Sequence, residues 1–246
     1  MKSGTPRTGT RRLYAEFAAH EADAAAVAAA AARLQAIGYQ AADLERVPDA
    51  AVACLGCGNP LALAGLRPGE TVLDLGCGGG LDVFLAADRV GPRGHVVGVD
   101  ATPEMVAKAR RNAATGGFRN TTFVQGTIEH LPLQDGTFDV ALSNCVMNHG
   151  ADKTAAFREA FRVLKPGGRL CVTDLVTAGE FSAEALSDPV WGEWLRGAAN
   201  RADYLAAIAK AGFRDVVVVR ESAFPSSEQD ERLRGRIISL AVTATR

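Results

Sequence analysis

Residues 71 to 80, Thr-Val-Leu-Asp-Leu-Gly-Cys-Gly-Gly-Gly, run a short apolar strand directly into a cluster of glycines, and residues 81 to 89 then read as a helix. This junction constrains the fold strongly. Glycines there let the backbone approach a ligand closely, and the N-terminus of the following helix favours polar or anionic groups. The alternation continues. Residues 95 to 100 and 121 to 126 read as strands around a helix at 103 to 115, with Pro103 suited to a first helical position. A strand at 138 to 144, a helix at 151 to 164 and a strand at 169 to 175 follow, the last two separated by Lys165-Pro166-Gly167-Gly168.

Strands alternating with helices specify a parallel α/β sheet covered on both faces. After a helix at 202 to 211, residues 216 to 220 and 237 to 245 form two final strands with no helix between them, which predicts a closing antiparallel hairpin. At the other end, alanine-rich residues 22 to 32 and the segment before them predict one helix from Leu13 to Ile37, stopped by Gly38. Residues 47 to 66, with Pro48, Gly56, Gly58, Asn59 and Pro60, read as an irregular loop. The expected division is a helical extension with its loop at 1–66 and a main domain at 67–246.

Lys and Arg number 27 against 28 Asp and Glu, a net charge of -1. No basic excess points to nucleic acid or an anionic membrane. No apolar run approaches the ~20 residues that span a bilayer, and Glu16, His20, Glu21 and Asp23 interrupt the place where a signal peptide needs an apolar stretch. A soluble, cytoplasmic protein is expected. Five cysteines, an odd count without a leader, argue against a disulfide framework and for reduced thiols. Cys54 and Cys57 form a C-x-x-C pair, but no second pair at zinc spacing follows, so no metal site is expected. Cys77 and Cys171 read as packing residues.

The second strand ends in Asp100, where a carboxylate can accept two ribose hydroxyls at the carboxyl edge of the sheet. A dinucleotide site wants a third glycine where Leu81 stands. The set Val72-Leu73-Asp74-Leu75-Gly76-Cys77-Gly78-Gly79-Gly80 with Gly98-Val99-Asp100 instead resembles S-adenosylmethionine-dependent methyltransferases, whose Rossmann-like sheet has seven strands. That resemblance implies S-adenosylmethionine as cofactor. It places Gly76, Cys77 and Gly78 beside the methionine part, and Asp74 behind the loop and the cofactor amine. It also puts Asp100 and Ala101 at the ribose, Met105 on the adenine face, and Thr127, Ile128 and Glu129 at the adenine edge. Asn144 would face the methyl-transfer centre.

A narrower resemblance rests on Cys54-Leu55-Gly56-Cys57-Gly58-Asn59-Pro60 and Ser143-Asn144-Cys145-Val146-Met147-Asn148. These segments are similar to those of arsenite methyltransferases, as are Asp152-Lys153, Trp191-Gly192-Glu193 and Gly197-Ala198. The resemblance implies methyl transfer to trivalent arsenic held by Cys57 and Cys145, with Cys54 as a third candidate ligand. It also implies a small-molecule substrate and admits a thiol reductant as partner. Soft thiolates suit soft arsenic. The chain departs from the family where Trp194 replaces a cysteine after Trp-Gly-Glu, and where His149 replaces leucine. Trp194 then becomes a substrate-packing residue, and His149 a candidate base if the acceptor is a small organic molecule. A metalloid-binding protein without turnover is the remaining alternative.

Overall fold

The computed structural model describes residues 15–16, 18–19, 23–52, 56–188, 191–225 and 230–246. Among them, helix α1 spans Ala24–Ala36, followed by single-turn helices α2 (Ala41–Leu44), α3 (Asp49–Val52) and α4 (Leu61–Ala64). Then come β1 (Thr71–Leu75), α5 (Leu81–Val90), β2 (His95–Asp100), α6 (Pro103–Gly116), β3 (Thr121–Gln125) and β4 (Phe138–Asn144). A 3-10 turn (Met147–His149), α7 (Lys153–Val163), β5 (Leu164–Thr177), α8 (Ala183–Leu186), α9 (Gly192–Leu195), α10 (Arg201–Lys210), β6 (Arg214–Ala223) and β7 (Ile237–Thr245) complete the order.

The seven strands form one sheet in the order β3-β2-β1-β4-β5-β7-β6. β7 runs antiparallel to β5 and to β6, and the remaining pairs are parallel. The expected parallel sheet with a closing hairpin is therefore present. Strand order reverses between β1 and β4, and there the loops leaving the carboxyl edge diverge and leave a crevice.

Alternation along the strands builds a core on each face. Val72, Val96, Val140, Leu142 and Cys171 pack under α5, α6 and the N-terminal helices, joined by Ala30, Leu34 and Tyr39. Leu73, Leu75, Val99, Ala141 and Val172 face α7 and α10, contributing Phe157, Ala160, Tyr204 and Ile208. Residues on either side of position 66 thus share one continuous core.

Three local expectations need correction. The single helix from Leu13 to Ile37 is broken at Asp23, which is extended and whose Oδ1 accepts the Ala26 N–H at 2.8 Å. As N-cap, the Asp23 carboxylate satisfies an N–H that the start of a helix otherwise leaves without a partner, which favours a new helix start there over a continuous helix. The irregular segment 47–66 contains two helical turns, α3 and α4, because Ala51, Val52, Leu61 and Ala64 each bury against the sheet's helical layer. β5 begins at Leu164 rather than 169, taking Lys165-Pro166-Gly167-Gly168 in as an irregular register between Phe138 and Val140.

The approach to β1 is pinned from the far side of the sheet. Arg169 donates to both Glu70 carboxylate oxygens at 2.8 Å and to the Ala64 and Gly65 carbonyls. These bonds hold Glu70 below its usual carboxylate range against the opposing effect of burial. Arg169→Ala is expected to cost about 1–3 kcal/mol in urea unfolding. Arg169→Lys should recover little of that, because an ammonium cannot reproduce the two-pronged geometry.

Candidate functional site

The glycine loop leaves β1 with Gly76 at φ +77°, the left-handed region where a Cβ is strained. A Cβ there would also overlap the Val146 side chain from the loop after β4. The Gly76 and Cys77 N–H groups both donate to the Val99 carbonyl, so the loop folds back over the end of β2. Asp100 latches it: Oδ2 accepts the Gly78 N–H at 2.9 Å, and Oδ1 accepts the Thr102 N–H at 2.8 Å. Ala101 joins this carboxylate to Thr102, the residue that caps α6. Cys77 turns inward to the core, where burial raises its thiol pKa well above normal, and Cys171 is pushed up to about 12 in the same way. Both are inert packing thiols, as the sequence suggested.

Asp74, Asp82 and Asp100 gather behind this loop, each largely buried. Desolvation raises all three pKa values, and Asp82 and Asp100 push Asp74 further up by charge repulsion. Asp82, at about 6, is partly relieved by hydrogen bonds from Tyr39 and Asn144. Carboxylates crowded against one another beside a bare glycine loop favour a cationic ligand, which offsets their repulsion. S-adenosylmethionine carries a sulfonium and an ammonium, so the donor set fits it. Met105 is buried at the start of α6, and Ile128 lies almost buried after β3 beside Thr127. Glu129 accepts the Ala151 N–H at 2.9 Å through Oε1, while its buried Oε2 has no hydrogen-bond partner among the described residues. An acceptor left open at that place suits an adenine amino group.

Beside the loop, a different set of contacts organises two sulfurs. The Asn144 carboxamide accepts the Cys57 N–H at 3.1 Å and the Thr173 hydroxyl at 3.0 Å on Oδ1. Its Nδ2 donates to the Gly58 carbonyl at 2.8 Å and the Tyr39 hydroxyl at 3.0 Å. Tyr39 donates in turn to Asp82 at 2.7 Å. Ser239 of β7 donates to the Cys57 carbonyl at 2.8 Å. Gly58 lies so close to β5 that a Cβ would fall 2.7 Å from the Thr173 Cβ.

Cys57 and Cys145 are joined as a disulfide, with Cα atoms 5.8 Å apart across 88 residues of sequence. This overturns the expectation of reduced thiols at these positions. The odd cysteine count said nothing about which two residues the parallel topology sets side by side. Cys145 is one of two non-glycine residues at positive φ among the described residues, at +60°. Such a conformation costs of order 1–3 kcal/mol and persists where surroundings over-determine it. Here the Cys145 N–H is held on the Thr173 carbonyl at 2.8 Å. Cys54 lies outside the described residues.

An apolar wall completes this side. Trp191, Trp194, Phe181 and Phe224 join one apolar cluster with Cys57, Cys145, Leu175, Leu195 and Ile237, and the two indoles meet edge to face at 5.9 Å between centroids. Trp194 thus belongs to the same apolar cluster as the two cysteines. His149 closes the 3-10 turn after Cys145, half-buried, with its N–H on the Val146 carbonyl.

Several positioning residues carry little or no sequence signal. Asn148 donates its backbone N–H to Asp174 at 2.8 Å and its Nδ2 to the Leu175 carbonyl, and it accepts the Ala199 N–H on Oδ1. Lys153 bridges the Gly150 and Gly197 carbonyls at 2.6 and 2.8 Å. Together they tie the Cys145 loop to the segment after Trp194. Asp174, raised by burial to about 7, also accepts from Tyr204. An acid inside the apolar run of β5 was a readable signal for such a role. Tyr39 and Thr173 offered none.

The fold and the glycine loop are those of the class I S-adenosylmethionine-dependent methyltransferase domain, and a methyltransferase-domain family model matches residues 66–212. The chain is 47% identical over 184 residues to the arsenite methyltransferase of Halobacterium salinarum, covering 74% of this chain and 47% of that protein. It is 39% identical over 198 residues to that of Aquipseudomonas alcaligenes, covering 77% and 56%. The crystal structure of an arsenic(III) S-adenosylmethionine methyltransferase from Chlamydomonas reinhardtii matches with TM-score 0.69 at 33% identity, covering 92% of this chain and 75% of that one. The chain belongs to the arsenite methyltransferase family. It spans about half the length of the curated relatives it matches.

Two outcomes follow from this geometry. Because Asp82 takes up a proton near pH 6, affinity for S-adenosylmethionine should weaken as pH falls through that value, as calorimetry would register. Binding at pH 6 should release protons, visible as a dependence of the heat on the buffer's ionisation enthalpy, and S-adenosylhomocysteine should show less of both. Separately, Gly58→Ala should push the thiol loop off Thr173, lowering the urea midpoint by an amount worth about 1–3 kcal/mol.

Proposed function

We propose that this protein transfers the methyl group of S-adenosylmethionine to trivalent arsenic held by the Cys57 and Cys145 thiolates. The observation that carries the reading is the convergence of these two sulfurs, 88 residues apart in sequence, beside the glycine loop and its carboxylates. When bound, the cofactor supplies an electrophilic methyl on a sulfonium, with a neutral thioether as leaving group.

The chain's own residues then have three tasks. Asp74, Asp82 and Asp100 meet the positive charge of the ligand, and Gly76 and Gly78 let the backbone approach it. Asn144 and Thr173 hold the Cys57 loop against the end of β4, so that both sulfurs present to one point. The disulfide is the oxidised form of that pair, and thiol exchange frees two thiolates for arsenic. Bound so, arsenic keeps a lone pair for in-line attack, and no general base is needed. Alignment of this kind is worth roughly 7–11 kcal/mol of barrier. The indole and phenyl wall excludes water from the approach.

With Trp194 where the family carries a further cysteine, the site offers two family-matched thiolates. An arsenical already bearing one carbon or one external thiol needs only two, and the indole supplies apolar surface for the substituent. The test is methyl transfer measured on arsenite and on methylarsonous acid with pre-reduced protein. Methylarsonous acid should turn over faster, and Trp194→Cys should shift the ratio toward arsenite. Cys145→Ser should abolish arsenical binding while leaving S-adenosylmethionine affinity within about threefold. Faster turnover of arsenite, or full activity in Cys145→Ser, would overturn the assignment. Arsenical binding without S-adenosylmethionine binding would favour a non-catalytic metalloid protein.

A further inference from the structure

Asp82 stands in the first turn of α5, straight after the glycine loop, and is buried there. The Tyr39 hydroxyl, 43 residues upstream, donates to it at 2.7 Å. An ionised carboxylate only accepts, so the Tyr39 proton points at Asp82 and the phenol oxygen is left to accept. Asn144 Nδ2 donates to that oxygen at 3.0 Å. With the amide nitrogen so turned, Oδ1 faces the thiol loop and takes the Cys57 N–H at 3.1 Å. Donors therefore run in one direction, from Cys57 to Asn144 to Tyr39 to Asp82, out of the sulfur-bearing loop and into the acid cluster. The corner that carries Tyr39 is itself fixed. Gly38 leaves α1 at φ +106°, the Tyr39 N–H closes onto the Leu34 carbonyl at 3.0 Å, and the ring is buried in the core. The Gly38 carbonyl accepts from Asn59 Nδ2 at 2.9 Å, so this corner also grips the thiol loop directly. A Cβ on Gly56 would lie 2.9 Å from Asn144 Nδ2, which shows how tightly the loop backbone lies against the amide.

We propose that Tyr39 is a positioning residue that couples occupancy of the S-adenosylmethionine site to the placement of the Cys57 loop. Asp82 is one of the acids that meet the ligand's positive charge. A cation beside it holds the carboxylate ionised and in one place, and a hydrogen bond to an ionised acceptor is stronger than one to a neutral acid. The strengthened bond polarises the phenol, whose oxygen then holds Asn144 more firmly, and Asn144 in turn holds the Cys57 N–H. The effect is reciprocal: a Cys57 loop held in place raises affinity for the cofactor by the same factor. Donor and acceptor sites thus become ordered together. The inference rests on the reading of Cys57 as a working thiolate, but its readout is the Cys57 backbone amide, not methyl transfer.

The experiment is amide hydrogen exchange on the reduced full chain, with and without saturating S-adenosylmethionine, read by mass on peptides that resolve Cys57 and Gly78. Reduction matters because the disulfide by itself would fix the loop. The ligand should slow exchange at the Cys57 N–H by about fivefold or more, the lower end of ordinary coupling between sites. Tyr39→Phe removes one oxygen and keeps the ring. It should erase that slowing, while the ligand still slows exchange at Gly78, the marker of an occupied glycine loop. A purely packing role for the hydroxyl would speed exchange with and without ligand alike and leave the ratio standing. Direct shielding of Cys57 by the ligand would also survive in the variant. Asp82→Asn keeps an oxygen that accepts from Tyr39 but carries no charge, so it should remove most of the ratio. Adding Tyr39→Phe to it should remove little more. An unchanged ratio in Tyr39→Phe, additive effects of the two substitutions, or no slowing at Cys57 in the unaltered chain despite protection at Gly78 would each overturn the proposal. If the reduced protein binds no arsenical while the Tyr39-dependent slowing persists, the proposed function fails and this coupling stands. If arsenicals are methylated and the slowing is absent, the coupling alone falls.

Discussion

The Asn144 carboxamide gathers groups far away in sequence: the Cys57 N–H, the Gly58 carbonyl, the Thr173 hydroxyl and the Tyr39 hydroxyl. A half-buried amide satisfied on both ends rigidifies what it touches, because each partner loses a bond if it moves. This one side chain joins the end of β4 to β5, to the thiol loop and to the N-terminal helical layer. The Asn144 side chain, which the resemblance placed at the methyl-transfer centre, assembles the segment that carries the Cys57 sulfur.

Around that hub, two electrostatic environments share one carboxyl edge. On the β1–β2 side, three buried acids repel one another and favour a cation. On the β4–β5 side, the sulfurs lie in a wall of aromatic rings, with uncharged Thr173, Ser239 and Asn144 as polar neighbours. The proposed pair of ligands, a cationic methyl donor and a soft, neutral arsenical, calls for such different surroundings on one edge. Hydrogen bonds from Asn148 and Lys153 tie the Cys145 loop to residues 197–199, just after the aromatic wall.

The architecture was largely legible. Thr71–Leu75, His95–Asp100 and Phe138–Asn144 announce strands by apolar runs, and glycines mark where the chain leaves the sheet. Asp23 shows where local reading failed: a long alanine tract looks like one helix, yet a capping carboxylate inside it starts a new one. Asp174 could have been suspected from an acid in an apolar strand. Tyr39 could not, since nothing near it in sequence hints at a partner on α5 or β4.

Propensity, periodicity and turn chemistry act over a few residues, so the chain alone determined its strands, its glycine loop, the place of Asp100 and, through motif resemblance, the two cysteines worth watching. The Cys57–Cys145 bond, the repulsion within the acid cluster and the Asn144 hub depend on which loops the crossover connections set side by side. Burial and distance are properties of that packing, and only the folded sheet supplies them.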